Sequence, residues 1–228
     1  MSCETVQIQR DKIELRRPRE WGTCWLGLYL WDMLELGTFW KQRLPSSRGG
    51  TSWLNILKAL TCYRLIDPGS EFRFHREWYL RSAMGDLLRK DYSLAQKDKP
   101  YRCLDLLLKH RDELFGYLKG QWGNLFGAKL EEGIEAHIFV SFLAYCLHTT
   151  LRNLARGRAA GLTSEAILKK LSNIQMIDIH LPTTDGRHVV MSRYTQPEKD
   201  VSLLLAQLGL TLPDQPPPKV YATGQTGL

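Results

Sequence analysis

Apolar residues recur along this chain at helical spacing, and short runs of glycine, proline and polar residues separate one run from the next. Glu20 to Leu36 is rich in Trp and Leu and stops at Gly37, and a short helix, Thr38 to Leu44, ends at Pro45-Ser46-Ser47-Arg48-Gly49-Gly50, a loop by composition. Thr51 to Ile66 follows, with Trp53, Ile56, Leu57, Leu60 and Tyr63 on one face and Asn55 and Lys58 off it. Asp67-Pro68-Gly69-Ser70 is a turn signal, and Ser70 is placed to cap a helix from about Glu71 to Lys90. After Lys97-Asp98-Lys99-Pro100, a long amphipathic helix puts Tyr101, Leu104, Leu108, Leu114, Phe115 and Leu118 on one face. Asp105 and Lys109 form an i,i+4 pair on its wet side.

The pattern changes at Phe126-Gly127-Ala128-Lys129-Leu130-Glu131-Glu132. Beyond this join, Ile134 to Leu154 is apolar nearly all round, as in a helix packed on several sides. Arg156 to Gly161 reads as a loop, and Thr163 as the N-cap of a helix Glu165 to Asn173 with Ile167, Leu168 and Leu171 inward. Two β-type runs, Gln175 to Leu181 and His188 to Tyr194, are joined by Pro182-Thr183-Thr184-Asp185-Gly186-Arg187 and predict a hairpin. Pro197 opens a last helix carrying Val201, Leu204, Leu205 and Leu208, and 213–228 reads as a Pro/Gly-rich disordered tail. The expected fold is mainly α: an N-terminal helical domain over 1–126, a junction over 127–133, then a C-terminal region over 134–212. That region holds a long apolar helix, a short helix, the hairpin and the final helix.

Composition narrows the partners. At 228 residues, with 43% hydrophobic and 24% charged residues, the chain can bury a core and is not disordered throughout. A net charge of +7 favours polyanions such as DNA, although a soluble protein can also simply be basic. The five cysteines stand singly with no C-x-x-C pair, as expected of reduced, buried thiols in a cytoplasmic protein. Met1 to Arg10 carries Glu4 and no apolar core, so no signal peptide is expected there. The most apolar stretch, Ala136 to Leu147, falls short of the ~20 residues a membrane span requires.

Glu71-Phe72-Arg73-Phe74-His75-Arg76-Glu77-Trp78-Tyr79-Leu80-Arg81 follows a helix and a tight turn. A basic helix after a helix and a turn supplies cations for phosphates and a rod for a groove, which makes Arg73, Arg76 and Arg81 the candidate DNA contacts. A solvated basic face of an ordinary helical protein accounts for the same residues. Asp178 in mid-strand and Asp185 in the adjoining turn are the carboxylates nearest to a metal site, but the hairpin supplies no third acidic ligand and Asp185 fits its Asp-Gly turn for conformational reasons. Glu131, Glu132 and Glu135 suit a helix N-terminus, and His137 and His148 lie about three turns apart, too far to share a metal. No G-x-x-x-x-G-K-[ST], G-x-S-x-G or H-E-x-x-H occurs.

Two sets of motifs resemble one family. Pro18-Arg19-Glu20-Trp21-Gly22, Cys24-Trp25-Leu26, Tyr63 through Glu71, His75-Arg76-Glu77-Trp78 and Tyr101 through Asp105 are similar to the N-terminal domain of bacterial insertion-sequence transposases of the DDE class, in its IS-four-like branch. Ile134 through Val140, Leu143-Ala144-Tyr145, Ile174 through Asp178 and Leu181 through Gly186 resemble that family's C-terminal helix and terminal hairpin. The resemblance implies an RNase H-like core in which two Asp and one Glu hold two Mg²⁺ ions, with the first Asp soon after Phe126 and the Glu helix ahead of Ile134. No Tyr here is followed by Arg three positions later, so the family's Tyr-x₂-Arg-x₃-Glu-x₆-Lys signature is absent, and no sheet with its helices fits the four residues between Phe126 and Glu131. The expectation is therefore a transposase-derived protein with no catalytic residues, no enzyme activity and no cofactor. Three roles stay open: residual DNA binding, self-association or inhibitory association with an intact transposase, and no function at all.

Overall fold

A computed structural model describes residues 7–45, 52–90, 92–96, 98–126, 136–159 and 161–222, with the side chains of 124–126 and 136–138 excluded. The expected junction at 127–133, the acidic residues Glu131, Glu132 and Glu135, and Cys3 lie outside the described residues, as does the side chain of His137.

The described residues are mixed α/β, 62% helical with a four-stranded antiparallel sheet in the order β1-β2-β3-β4, which corrects the mainly-α expectation. The expected hairpin supplies β2 (Gln175–Pro182) and β3 (His188–Tyr194). The other two strands come from segments without an apolar alternation. β1 (Glu14–Glu20) reads Glu-Leu-Arg-Arg-Pro-Arg-Glu and pairs with β2 from Glu14↔His180 to Glu20↔Gln175. β4 (Lys219–Tyr221) lies in the expected tail and pairs with β3. Both are edge strands, held by backbone hydrogen bonds rather than by a buried face, so periodicity does not reveal them. A bulge between Arg16 and Arg19, with Arg17 at φ 51° and Pro18 beside it, bends β1 and blunts its outer edge.

The helices follow the predicted order with shifted ends. Glu20 to Leu36 becomes α1 (Gly22–Met33) and α2 (Leu36–Lys41), broken where Glu35 turns left-handed at φ 52°. α3 (Trp53–Ile66) buries Ile56, Leu57, Leu60 and Tyr63 as expected. The next rod, α4, runs Glu71–Arg73, a π-helical turn Phe74–Trp78, and Tyr79–Arg81; α5 (Met84–Leu88) is separate. The wide turn adds about one residue to the helical repeat, which lets Phe74, Trp78 and Tyr79 all reach the core. The long amphipathic helix divides into α6 (Asp98–Leu107) and α7 (Arg111–Phe126) around a 3₁₀ turn, Leu108–His110. α8 (Ala136–Arg158) is exposed along Ser141, Tyr145, Arg152 and Arg156, so it is not apolar all round. α9 (Ser164–Leu171) and α10 (Lys199–Leu208) complete the α-helices among the described residues.

One hydrophobic core runs from Trp21 to Leu210 and draws on residues from both sides of the join. α3 and α8 face each other within it. Trp21 and Gly22 donate backbone N–H bonds to the Ile174 carbonyl at 3.1 and 3.0 Å, and the Trp21 ring stacks on Tyr194 at 4.2 Å. A side chain at position 22 would strike the Leu171 carbonyl, so only glycine permits this approach. No helix among the described residues is long and apolar enough to cross a membrane.

Candidate functional site

α4 is positioned by its start. The Ser70 hydroxyl accepts from the Arg73 N–H at 3.3 Å, and Arg64 pairs with Glu71 beside it. Phe74 and Trp78 pack on Tyr63 with ring centroids 5.5 and 5.1 Å away, so these two aromatics point inward while Arg76 and Arg81 point outward. His75 is tied down as well, its Nδ1 lying 2.8 Å from the Ala95 carbonyl oxygen.

The three candidate arginines occupy different environments. Arg73 forks onto Asp67 with N–H bonds of 2.9 and 2.8 Å and lies 3.7 Å from Glu77, so the turn already uses its guanidinium. Arg76 is exposed, its guanidinium 5.7 Å from the centroid of Phe72. Arg81 is exposed at the end of the rod. Phe72 and Leu80, 56% and 54% exposed, sit in the same stripe as Arg76 at i,i+4 spacing; their exposure is invisible in an aromatic- and leucine-rich run that mostly packs inward.

A second polar cluster lies where β1 meets β2. Arg19 is 1% exposed and donates to both carboxylate oxygens of Asp178 at 2.9 and 3.0 Å, to Asp86 at 2.8 Å and to the Arg17 carbonyl at 2.7 Å. Asp178 also accepts from the Ser192 hydroxyl at 2.7 Å and from Arg17 at 3.4 Å. Burial pushes the Asp178 carboxyl up, but the bonds from Arg19 and Ser192 and the charges of Arg19 and Arg17 outweigh it and hold it below the usual range. Arg19 is held above its usual range by the same exchange: burial opposes its charge, and the bonds and charges of Asp178 and Asp86 prevail.

No family model, curated protein or solved structure matches this chain.

The described carboxylates do not fit the two-metal centre that the family resemblance implies. An ionised carboxylate offers about four acceptor positions, and four donors converge on Asp178. Asp185 accepts from the Arg187 N–H at 3.2 Å, its guanidinium at 2.8 Å and the Thr183 hydroxyl, which together hold it well below the carboxylate range. Gly186 follows it at φ 85°, completing the turn. Among the described residues no three His, Cys, Asp or Glu side chains gather in a way that could hold a metal. His148 pairs with Glu165 at 3.1 Å across α8 and α9. Cys24, Cys62, Cys103 and Cys146 are free and buried, and burial pushes the Cys103 thiol up to about 12.

Proposed function

We propose that this chain derives from an insertion-sequence transposase of the DDE class, lacks the catalytic core, and binds DNA without cutting or joining it. The observation that carries the reading is a contact between two motifs. Pro18-Arg19-Glu20-Trp21-Gly22 resembles the family's N-terminal domain, and Ile174 through Asp178 resembles its terminal hairpin. Here Arg19 holds Asp178, and Trp21 and Gly22 bond the Ile174 carbonyl. A family whose two ends build one body can lose the intervening core and keep that body. The exposed Arg76 and Arg81, on a chain of net charge +7, support the DNA-binding part.

The test uses purified chain and a labelled duplex carrying the terminal inverted repeats of a related element. Binding that weakens steeply with salt, without strand nicking in Mg²⁺ or Mn²⁺, is the expected result. Metal-dependent nicking overturns the loss of activity, and absence of salt-sensitive binding overturns the DNA role.

The outer face of the sheet favours a second reading, association with an intact transposase to form dead mixed oligomers. Leu15, Ile179 and Met191 lie side by side across three strands, next to Val189 and Val220, while Leu181 in the same row is buried. Leu15 and Val220 are 68% and 59% exposed. An antiparallel sheet ordinarily turns such residues inward and polar ones to water, whereas this one buries Asp178 and His180 on the opposite face. An intact transposase carrying the same hairpin would present a matching face. Co-purification of the two without DNA supports this reading, and its loss on Leu15→Arg assigns it to the sheet.

A further inference from the structure

The hairpin holds a pair of imidazoles that neither the buried ion pair nor the basic rod uses. His180 Nδ1 lies 3.1 Å from His188 Nε2, with ring centroids 5.3 Å apart and planes inclined at 60°. The rings sit diagonally across β2 and β3, since His180 faces Val190 and His188 faces Pro182, and they lie on the same side of the sheet as Asp178. Glu14 stands opposite His180 on β1, with Arg16 two positions on, and Tyr221 stands opposite His188 on β4.

As free groups, the two rings share a single N–H···N bond. The same separation suits two neighbouring ligands of one ion, because imidazole nitrogens bind Zn²⁺ at about 2.0–2.1 Å and subtend close to a right angle at this spacing. We propose that His180 and His188 form a two-imidazole anchor for a borderline divalent transition-metal ion, with water completing its shell. Two nitrogen donors suit Cu²⁺, Ni²⁺ and Zn²⁺ and give Mg²⁺ or Ca²⁺ little, since those ions require oxygen. The carboxylate of Glu14 favours a cation there, and Arg16, which is ion-paired to Glu14, opposes it. With no third ligand in place among the described residues, the ion is exchangeable. Its effect is to tie β2 to β3 beside the turn, a role that rests on the hairpin alone and not on the transposase reading.

The experiment uses the untagged full-length chain, stripped with chelator and titrated with CuCl₂, NiCl₂, ZnCl₂ and MgCl₂ at neutral pH, following heat of binding and thermal unfolding. One saturable equivalent that raises the midpoint is expected, strongest for Cu²⁺ and absent for Mg²⁺. His180→Gln and His188→Gln each abolish that equivalent, whereas His75→Gln leaves it intact. If His180→Gln proves unfolded by circular dichroism, His188→Gln at the less buried position decides alone. Saturable binding that survives His188→Gln, or no saturable binding by the wild-type chain, overturns the proposal.

Discussion

Arg19 and Asp178 lie 159 residues apart in sequence and meet through two parallel N–H···O bonds of 2.9 and 3.0 Å, both side chains almost fully buried. Asp178→Ala leaves Arg19 with Asp86 as its remaining carboxylate partner and removes two buried, charge-assisted bonds, so it should destabilise the fold by about 2–3 kcal/mol. The double replacement Arg19→Met with Asp178→Leu removes both charges and should cost much less than the two single changes together. Urea unfolding of the four proteins measures the difference as a double-mutant cycle.

The same pair makes stability sensitive to acid. Asp178 is held below its ordinary pKa in the folded chain, so the unfolded chain takes up its proton first as pH falls. Its contribution is complete above the ordinary aspartate range of about 3.9 and disappears as pH drops through the lower, folded value. From about pH 5 downward the wild type should lose stability more steeply than the Arg19→Met, Asp178→Leu protein. Equal slopes in acid titrations followed by circular dichroism would refute this assignment.

Trp21 on Tyr194 and the shared core predict that the chain unfolds as one unit. Tryptophan fluorescence and helical circular dichroism should give coincident denaturant transitions. Trp21→Ala should lower stability by about 3–5 kcal/mol without separating the two signals. Two resolved transitions would mean that the segments before and after the join fold independently, as in a decaying reading frame.

Gly22→Ala offers a local test of the same packing. The added methyl meets the Leu171 carbonyl, and relief requires α1 and α9 to move apart, at a cost of about 1–3 kcal/mol. Gly116→Ala on α7, where an added Cβ has open space, should be neutral or slightly stabilising. Thermal unfolding of the two variants makes the comparison.

The three arginines of α4 should separate by phenotype. Arg76→Gln and Arg81→Gln should leave folding unchanged and weaken DNA binding, each lowering the slope of log affinity against log salt by about 0.9 per lost phosphate contact. Arg73→Gln should act mainly through stability, because it releases Asp67 from its bidentate partner. Parallel anisotropy and unfolding measurements distinguish the two effects.

The helical faces and the hairpin were readable because Ile56, Leu57 and Leu60, or Met176 with Val190, carry the period of their element in their own side chains. The caps Ser70 and Thr163 were readable for the same local reason, and both hydroxyls accept the expected N–H bond. β1 was not, since its buried position holds Arg19 and its apolar Leu15 faces out, the reverse of an amphipathic strand. Only the distant β2 makes it a strand. Arg19 was equally hidden, because a buried arginine is defined by partners such as Asp86 and Asp178 that local sequence does not bring near. The engagement of Arg73 by Asp67 was hidden too, because it depends on how the Asp67–Ser70 turn folds back.

The pairing of β1 with β2 also sets an order of events during synthesis. Glu14 to Glu20 leave the ribosome long before Gln175 to His180 exist, and at about 5–20 residues per second that interval is roughly ten to thirty seconds. Through that interval the early segment lacks the partner that makes it a strand. Its arginines and proline then act as a safeguard, keeping an unpaired edge soluble until the last third of the chain arrives to close it.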